Sequence, residues 1–499
     1  MDRLFLFCIG GTGSRVLRSL VHLLAAGVEL PVRELIPIII DPDKENGNVE
    51  QSIKLLNAYQ EIRDKAHSAG SSFFKTSIRR LSEVVDGDIA GLSNEFRAGA
   101  QTGERQTFKD FLEFDSMDAA TRSLLQLLYS ERDNLQSDLS IGFKGNPHMG
   151  TVVLNKFQES ADFRAFVNMV SDNDRIFIVS SIFGGTGAAG FPLLVKNIRH
   201  PHSDYQSKQA TLKQVPLGAL TMLPYFGVES KPGSPIQNTF MGKTKSALSF
   251  YGDDLRGINS LYYLGDDHQK EVDNQPGGAS QQNRAHFAEL VAALAVIDFA
   301  KTPQDRLKTN AEGIALQPSF KEFGLLVDEN NPDQLSLRNL ASSSRQQIGP
   351  QLIKMYYALL FAKNQLAESL ATKNHPFVKG STGVPLSPSL INAPFFADRL
   401  NPYFTQFHDW LIELAQNSRA FAPFNLQTEA LDAKVVGVEQ LKKGFFRKTS
   451  DWDYAVFEGY LNDVESKMGG LSAEQKLLAL LSQGTEELYK ERIQTGLLG

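Results

Sequence analysis

The chain has 499 residues, 42% of them hydrophobic and 22% charged, which excludes wholesale disorder and leaves ample material for a core. At roughly 100–200 residues per domain, this length predicts two to four domains, with two large ones favoured. A net charge of −6 argues against nucleic acid as the main partner, and the single cysteine, Cys8, rules out an internal disulfide and fits a reducing cytoplasm.

The N-terminal run MDRLFLFCIGG is not read as a signal peptide, because it is short and leads into glycines. Residues 3–9 predict a buried strand ending at Gly10 and Gly11. Apolar residues then recur with helical spacing from Val16 to Leu24, and Gly27 is a plausible stop. Residues 35–40 predict a second buried strand that ends in Asp41-Pro42-Asp43. Strand, glycine turn, helix, strand is a parallel βαβ unit.

Residues from about 50 to 140 are more polar, and helical patterns at 53–65 and 121–135 predict a helical insertion. Residues 175–181 (RIFIVSS) form the clearest strand pattern, followed by FGGTGAAG and a helix to about 198. Further strands are expected at 217–223 and 261–264, with a helix at 238–250 between them. Residues 287–300 are apolar almost all round, the pattern of a helix buried between layers. They are too short to span a bilayer, and no membrane insertion is expected. Beyond about residue 302 the alternation fades. A strand at 320–327 is followed by helices at 351–370, 403–415, 452–468 and 474–481, with 375–388 as a linker or exposed loop. The expected fold is α/β, a Rossmann-like parallel sheet with helices on both faces. It comprises a nucleotide-binding domain at 1–301 and a mainly helical domain at 302–499.

Two glycine turns carry the chemistry. Gly10-Gly11-Thr12-Gly13-Ser14 and Gly184-Gly185-Thr186-Gly187-Ala188 each follow a buried strand and open a helix. Helix starts offer free N–H groups and a positive dipole end, and glycine allows close approach to an anion. The first turn is an incomplete dinucleotide fingerprint, since Val16 stands where a third small residue belongs, and no Lys-Ser/Thr makes it a Walker loop. The plainer reading is a turn that packs a helix on a sheet. Two such turns on one sheet can surround a polyphosphate, which is more than a dinucleotide fold needs.

SSIFGGTGAAG resembles the glycine-rich phosphate loop of the tubulin/FtsZ superfamily, and CIGGTGSR and IIIDPD resemble its first two nucleotide loops. Gly145-Asn146-Pro147-His148-Met149-Gly150 resembles the third loop, with RAGAQTGER at 97–105 as a rival. LPYFGVE at 223–229 resembles the fifth. The resemblance, to divergent prokaryotic members, covers about residues 3–301 apart from the insertion. It implies GTP or GDP as ligand, with Mg²⁺, and head-to-tail self-association with the nucleotide between subunits. The phosphates would meet Gly10, Gly11, Thr12, Gly13 and Ser14 on one side and Gly184, Gly185, Thr186, Gly187 and Ala188 on the other.

Asp41 or Asp43 would sit near magnesium or its waters, with a plain Asp-Pro-Asp turn as the alternative. Gly145 and Asn146 would line the terminal phosphate, Glu229 and Asn238 would face the sugar, and Asn283 the guanine. The family's water-activating pattern, roughly NxDFAD and supplied by the next subunit, is matched only in part by Val296-Ile297-Asp298-Phe299-Ala300-Lys301. Asp298 is the candidate catalytic residue, against the plainer reading of a helix-terminal aspartate. Two other functions stay open: a non-hydrolysing nucleotide-binding scaffold with another protein as partner, and an NAD- or FAD-type enzyme.

Overall fold

The computed structural model describes residues 1–99, 106–143, 145–228, 242, 244–249, 251, 255–266, 271–272, 278–279, 282–321, 323–328, 331–372, 374–381, 383–426 and 453–493. Glu229, Asn238, the rival third loop beyond residue 99 and most of the expected 238–250 helix lie outside the described residues.

Seven strands form one sheet: β1 (Arg3–Ile9), β2 (Glu34–Ile40), β3 (Ser77–Ile78), β4 (Arg175–Ser181), β5 (Leu217–Met222), β6 (Ser260–Leu264) and β7 (Ser319–Lys321). Their spatial order is β3-β2-β1-β4-β5-β6-β7, and every neighbouring pair is parallel. A parallel sheet covered on both faces needs strands apolar on both sides, which is why the runs LFLFCI, LIPIII and RIFIVSS lack alternation.

After β1 comes α1 (Gly10–Ala25), and after β2 comes α2 (Gly47–Ser68). The segment 81–143 follows, with α3 (Ala119–Leu128) as its longest helix among the described residues. Then α4 (Pro147–Leu154) and α5 (Ala161–Met169) lead into β4, α6 (Gly185–Arg199) leaves it, and α7 (Phe287–Lys301) is the buried helix expected from its all-round apolar pattern. Phe5 and Phe7 of β1 meet Phe166 of α5 edge-on, with ring centroids 5.1 and 5.0 Å apart. Phe177 of β4 turns to the opposite face, 5.3 Å from Phe299 of α7. Helices thus cover both faces, and each such fully buried ring contributes about 1.5–3 kcal/mol.

The expected insertion divides in two. α2 packs on α1, burying Leu55, Leu56, Tyr59 and Ile62, and the chain returns as β3 beside β2, so this part completes the sheet. Its outward face is polar and charged, which disguised it. The remainder is also tied to the core, since Arg97 pairs with Ile39 of β2 and Phe96, Phe108, Leu135 and Leu139 are buried, and only α3 has no buried residue.

The C-terminal region is mainly helical, as expected: α8 (Ser342–Asn364), α9 (Asn401–Ala415), α10 (Tyr454–Glu465) and α11 (Ala473–Leu488). α8 starts earlier than its apolar pattern suggests and carries Pro350 inside it. A proline within the third turn hides a helix start from a reading that treats proline as a boundary. The strand expected at 320–327 shortens to β7, because Leu325 pairs instead with Leu340. The expected linker at 375–388 is packed down. Phe377 N–H donates to Asn462 (3.1 Å), and Ser381 bonds Glu465, whose carboxylate also holds Lys476 at 3.0 Å. The region seats on α1, where Trp410 Nε1 donates to Ser19 Oγ (3.3 Å) and stacks on His22 at 5.0 Å. No helix among the described residues is long and apolar enough to cross a membrane.

Candidate functional site

The C-terminal ends of β1 and β4 run into helices with almost no intervening loop. Gly10 takes φ +72°, a left-handed conformation that side chains avoid, so β1 turns directly into α1. α1 has Ile9 at its N-cap and α6 has Gly184, and neither start receives a side-chain cap or carries an acidic residue in its first turn. A third helix, α4, starts at Asn146, again without a side-chain cap.

These three starts touch. An ideal Cβ on Gly10 would lie 3.6 Å from Thr186 Cβ and 3.9 Å from Gly187 N. One on Gly185 would lie 3.1 Å from Gly145 N and 3.2 Å from Asn146 N. Each uncapped start presents unsatisfied N–H groups and a partial positive charge, and three together repel unless an anion lies among them. Gly11, Gly145, Asn146, Gly184, Thr186 and Ala188 are partly exposed, forming the accessible floor of this junction. Gly13 and Gly187 are buried, and so is Ser14, whose hydroxyl bonds back to Gly10 O at 3.3 Å. Thr12 is also buried, and its Oγ1 accepts from Arg15 Nη2 at 3.3 Å.

The turn after β2 flanks the same floor. Gly11's Cβ position is 3.4 Å from both Asn46 Nδ2 and Asn48 Nδ2. Asn46 caps α2 and donates to Asp41 Oδ2 at 3.1 Å, so Asp41 stands one hydrogen bond behind the glycine turn. Asp41 Oδ1 accepts from Asp43 N–H (3.0 Å), while Asp43 accepts from Glu45 N–H (3.0 Å) and Gly278 N–H (2.7 Å). Burial pushes the Asp41 carboxyl up to about 7. Both carboxylates are thus hydrogen-bonded within the fold, Asp41 by its own turn and Asp43 by Glu45 and the distant Gly278. No group of three His, Cys, Asp or Glu suited to a metal occurs among the described residues.

Asn283 joins this cluster from the segment before α7. Its N–H donates to Asn48 Oδ1 (3.0 Å), and its own Oδ1 accepts from Asn48 Nδ2 (3.2 Å) and Arg15 Nη1 (3.4 Å). The unforeseen residue is Arg15. It is buried, its Nε meets Glu289 Oε1 at 2.6 Å, and Nη2 donates to Tyr225 OH. Tyr225 OH in turn donates to Glu289 at 2.8 Å. A usable signal existed: Arg15 and Glu289 are opposite charges inside otherwise apolar helical patterns, where a charge needs a partner. Nothing local says that they are each other's.

Asp298 stands elsewhere. It lies within the last turn of α7, not in a loop after it, nine residues beyond Glu289 and so roughly 13 Å further along the axis. Its Oδ2 accepts from Tyr262 OH at 2.7 Å and faces Lys321 Nζ at 3.4 Å. Within one chain it does not meet the glycine turns.

No family profile and no curated protein match this chain. Among solved structures it is similar to CetZ2 from Haloferax volcanii, in a GTPγS-bound protofilament, at 13% identity over 60% of this chain and 58% of that one. The chain thus spans less than two thirds of that protein, and with a TM-score of 0.28 the superposition is loose. The reading of the site therefore stands on its own geometry.

Proposed function

We propose that the protein binds a guanine nucleoside triphosphate where α1, α4 and α6 begin, and acts as a tubulin/FtsZ-like switch that self-associates head to tail. The observation that carries this is the contact between three uncapped helix starts at the C-terminal ends of β1 and β4. Backbone N–H groups of Gly10, Gly11 and Thr12 and of Gly185, Thr186 and Gly187, which have no partner within their own helices, cradle the phosphates, with Gly13, Ser14, Ala188 and the Asn146 side chain beside them. The Thr186 hydroxyl donates to a phosphate oxygen. Asn283, beside Asn48, faces the base with its amide N–H groups, since its oxygen already accepts from Asn48 and Arg15. Glu229 and Asn238 are assigned to the sugar by resemblance alone. Asp41 is placed behind Asn46 to meet a metal's water shell rather than the ion. Magnesium, when bound with the triphosphate, supplies charge neutralisation.

Turnover is a separate matter. Asp298 would have to act on the nucleotide of the next subunit, and here it is engaged by Tyr262 and Lys321. That engagement favours a second reading, a nucleotide-binding scaffold that does not hydrolyse and works with another protein.

The test is to release and identify any co-purifying nucleotide, then titrate GTPγS, ATPγS and NAD. One saturable GTPγS site per chain is expected. Equal weak binding of all three would overturn the reading, and selective NAD binding would replace it with a dinucleotide enzyme. Sedimentation with GTP distinguishes polymer from scaffold, and phosphate release measured alongside reports hydrolysis.

A further inference from the structure

The C-terminal half of α7 lines a cleft of about 790 Å³ between the sheet and the helical region, remote from the glycine turns. That is the size and the kind of junction at which proteins hold small molecules. One wall is apolar, built from Leu264 of β6, Val291, Leu294 and Ala295 of α7, and Phe323.

The other wall is rich in donors that lack partners. α8 begins there with Ala341 at its N-cap, a residue that offers no cap, and its first turn holds no acidic residue. Its initial N–H groups and dipole are therefore uncompensated. Gln347 Nε2, one turn further on, is buried without a hydrogen bond. Lys301 also lines the cleft, is exposed and has no ion-pair partner among the described residues. The acidic residues of the lining are already engaged, Asp298 by Lys321 and Tyr262, and Glu29 by Lys75 at 3.6 Å. A buried amide donor, an uncompensated helix start and an unpaired ammonium call for acceptors, while the facing wall calls for hydrocarbon.

We propose that this cleft binds a small organic anion with an apolar body. Its charged head is drawn to the start of α8, Gln347 and Lys301, and its body lies against α7. This cleft shares no residue with the site at the glycine turns, and Asp298, which lines it, is the one residue also considered for turnover in a neighbouring subunit; anion binding here stands or falls independently of GTP binding at the glycine turns.

The test uses the full chain and two fluorescent probes of similar body, the anionic 8-anilinonaphthalene-1-sulfonate and the neutral N-phenyl-1-naphthylamine. One saturable site for the sulfonate is expected, with the neutral probe at least tenfold weaker. Ser343→Glu places a carboxylate in the exposed first turn of α8. It should weaken the sulfonate at least tenfold while the thermal midpoint holds or rises, because an acidic residue suits a helix start. Gln347→Leu removes the orphan donor and should weaken the sulfonate about threefold without lowering the midpoint. A purely structural role for these positions predicts no change in probe affinity. Equal affinity for the two probes, or sulfonate binding unmoved by both variants, overturns the proposal. GTPγS titration of the same samples shows separately whether the nucleotide site is intact.

Discussion

Arg15 Nε lies 2.6 Å from Glu289 Oε1, and the two side chains are only 4% and 1% exposed. Residues 274 positions apart are thereby joined across the first glycine turn and the central helix. The same guanidinium touches Thr12 and Asn283, and the other Glu289 oxygen accepts from His286 N–H at 3.1 Å. One buried charge pair thus holds the first glycine turn, Tyr225 and the start of α7 in register.

Removing one partner strands the other. Arg15→Met should cost about 3–5 kcal/mol, while the double variant Arg15→Met with Glu289→Leu should recover most of that loss. Denaturation midpoints of the four proteins check this. A single-variant loss below about 1 kcal/mol would mean that the charges are solvated rather than buried.

Gly11→Asp should close the proposed nucleotide site from within. Its Cβ position has only ordinary contacts, 3.4 Å to the Asn46 and Asn48 amides and 3.7 Å to Arg15 Nη1. The new carboxylate would accept from those donors and occupy the place of an anion. The ligand-free variant should melt no lower than the parent, and its GTPγS affinity should fall at least 100-fold, about 2.7 kcal/mol. A melting shift with GTPγS equal to the parent's would put the phosphates elsewhere.

Asp41 should make stability depend on pH. Its folded-state carboxyl is raised by burial to about 7 from an ordinary 3.8, so the folded chain holds a proton that the unfolded chain releases. This contribution is complete below about pH 4, is lost as pH rises towards 7, and changes no further above that, with a ceiling of about 4 kcal/mol. Asp41→Asn should remove the slope. It leaves a constant penalty, because the new amide opposes Asn46 Nδ2. Urea midpoints of both proteins across this range check it, and parallel pH profiles would show that Asp41 stays ionised.

Cys8 lies fully buried in β1, and burial pushes its thiol far above the ordinary range. It should therefore not react with a thiol reagent in the native protein and should react at once, with one equivalent, after denaturation. Rapid native labelling would mean that β1 is exposed by local opening.

Much of the sheet was readable from short windows. Residues 4–9, 35–40 and 176–179 are apolar runs that lead, directly or within a few residues, into glycine or Asp-Pro, and the structure places them in β1, β2 and β4. The glycine turns and the buried helix at 287–300 were equally local signals. β3 was not readable, because two residues carry no periodicity and are a strand only through β2. The start of α8 was hidden by Pro350, and the packing of 375–388 depended on Asn462, Glu465 and Lys476, which lie far along the chain.

The amino-acid sequence alone determined which segments are apolar on both faces, where the backbone must bend at glycine, and hence a parallel α/β sheet with anion-seeking helix starts. Those properties come from neighbours within a few residues. Only the tertiary structure decided that three of those starts meet, that Asn48 and Asn283 pair, that Arg15 finds Glu289, and that Asp298 faces Tyr262 and Lys321 instead of the glycine turns. Each of these depends on a distance between residues remote in the chain, and such a distance is set by the packing of whole layers.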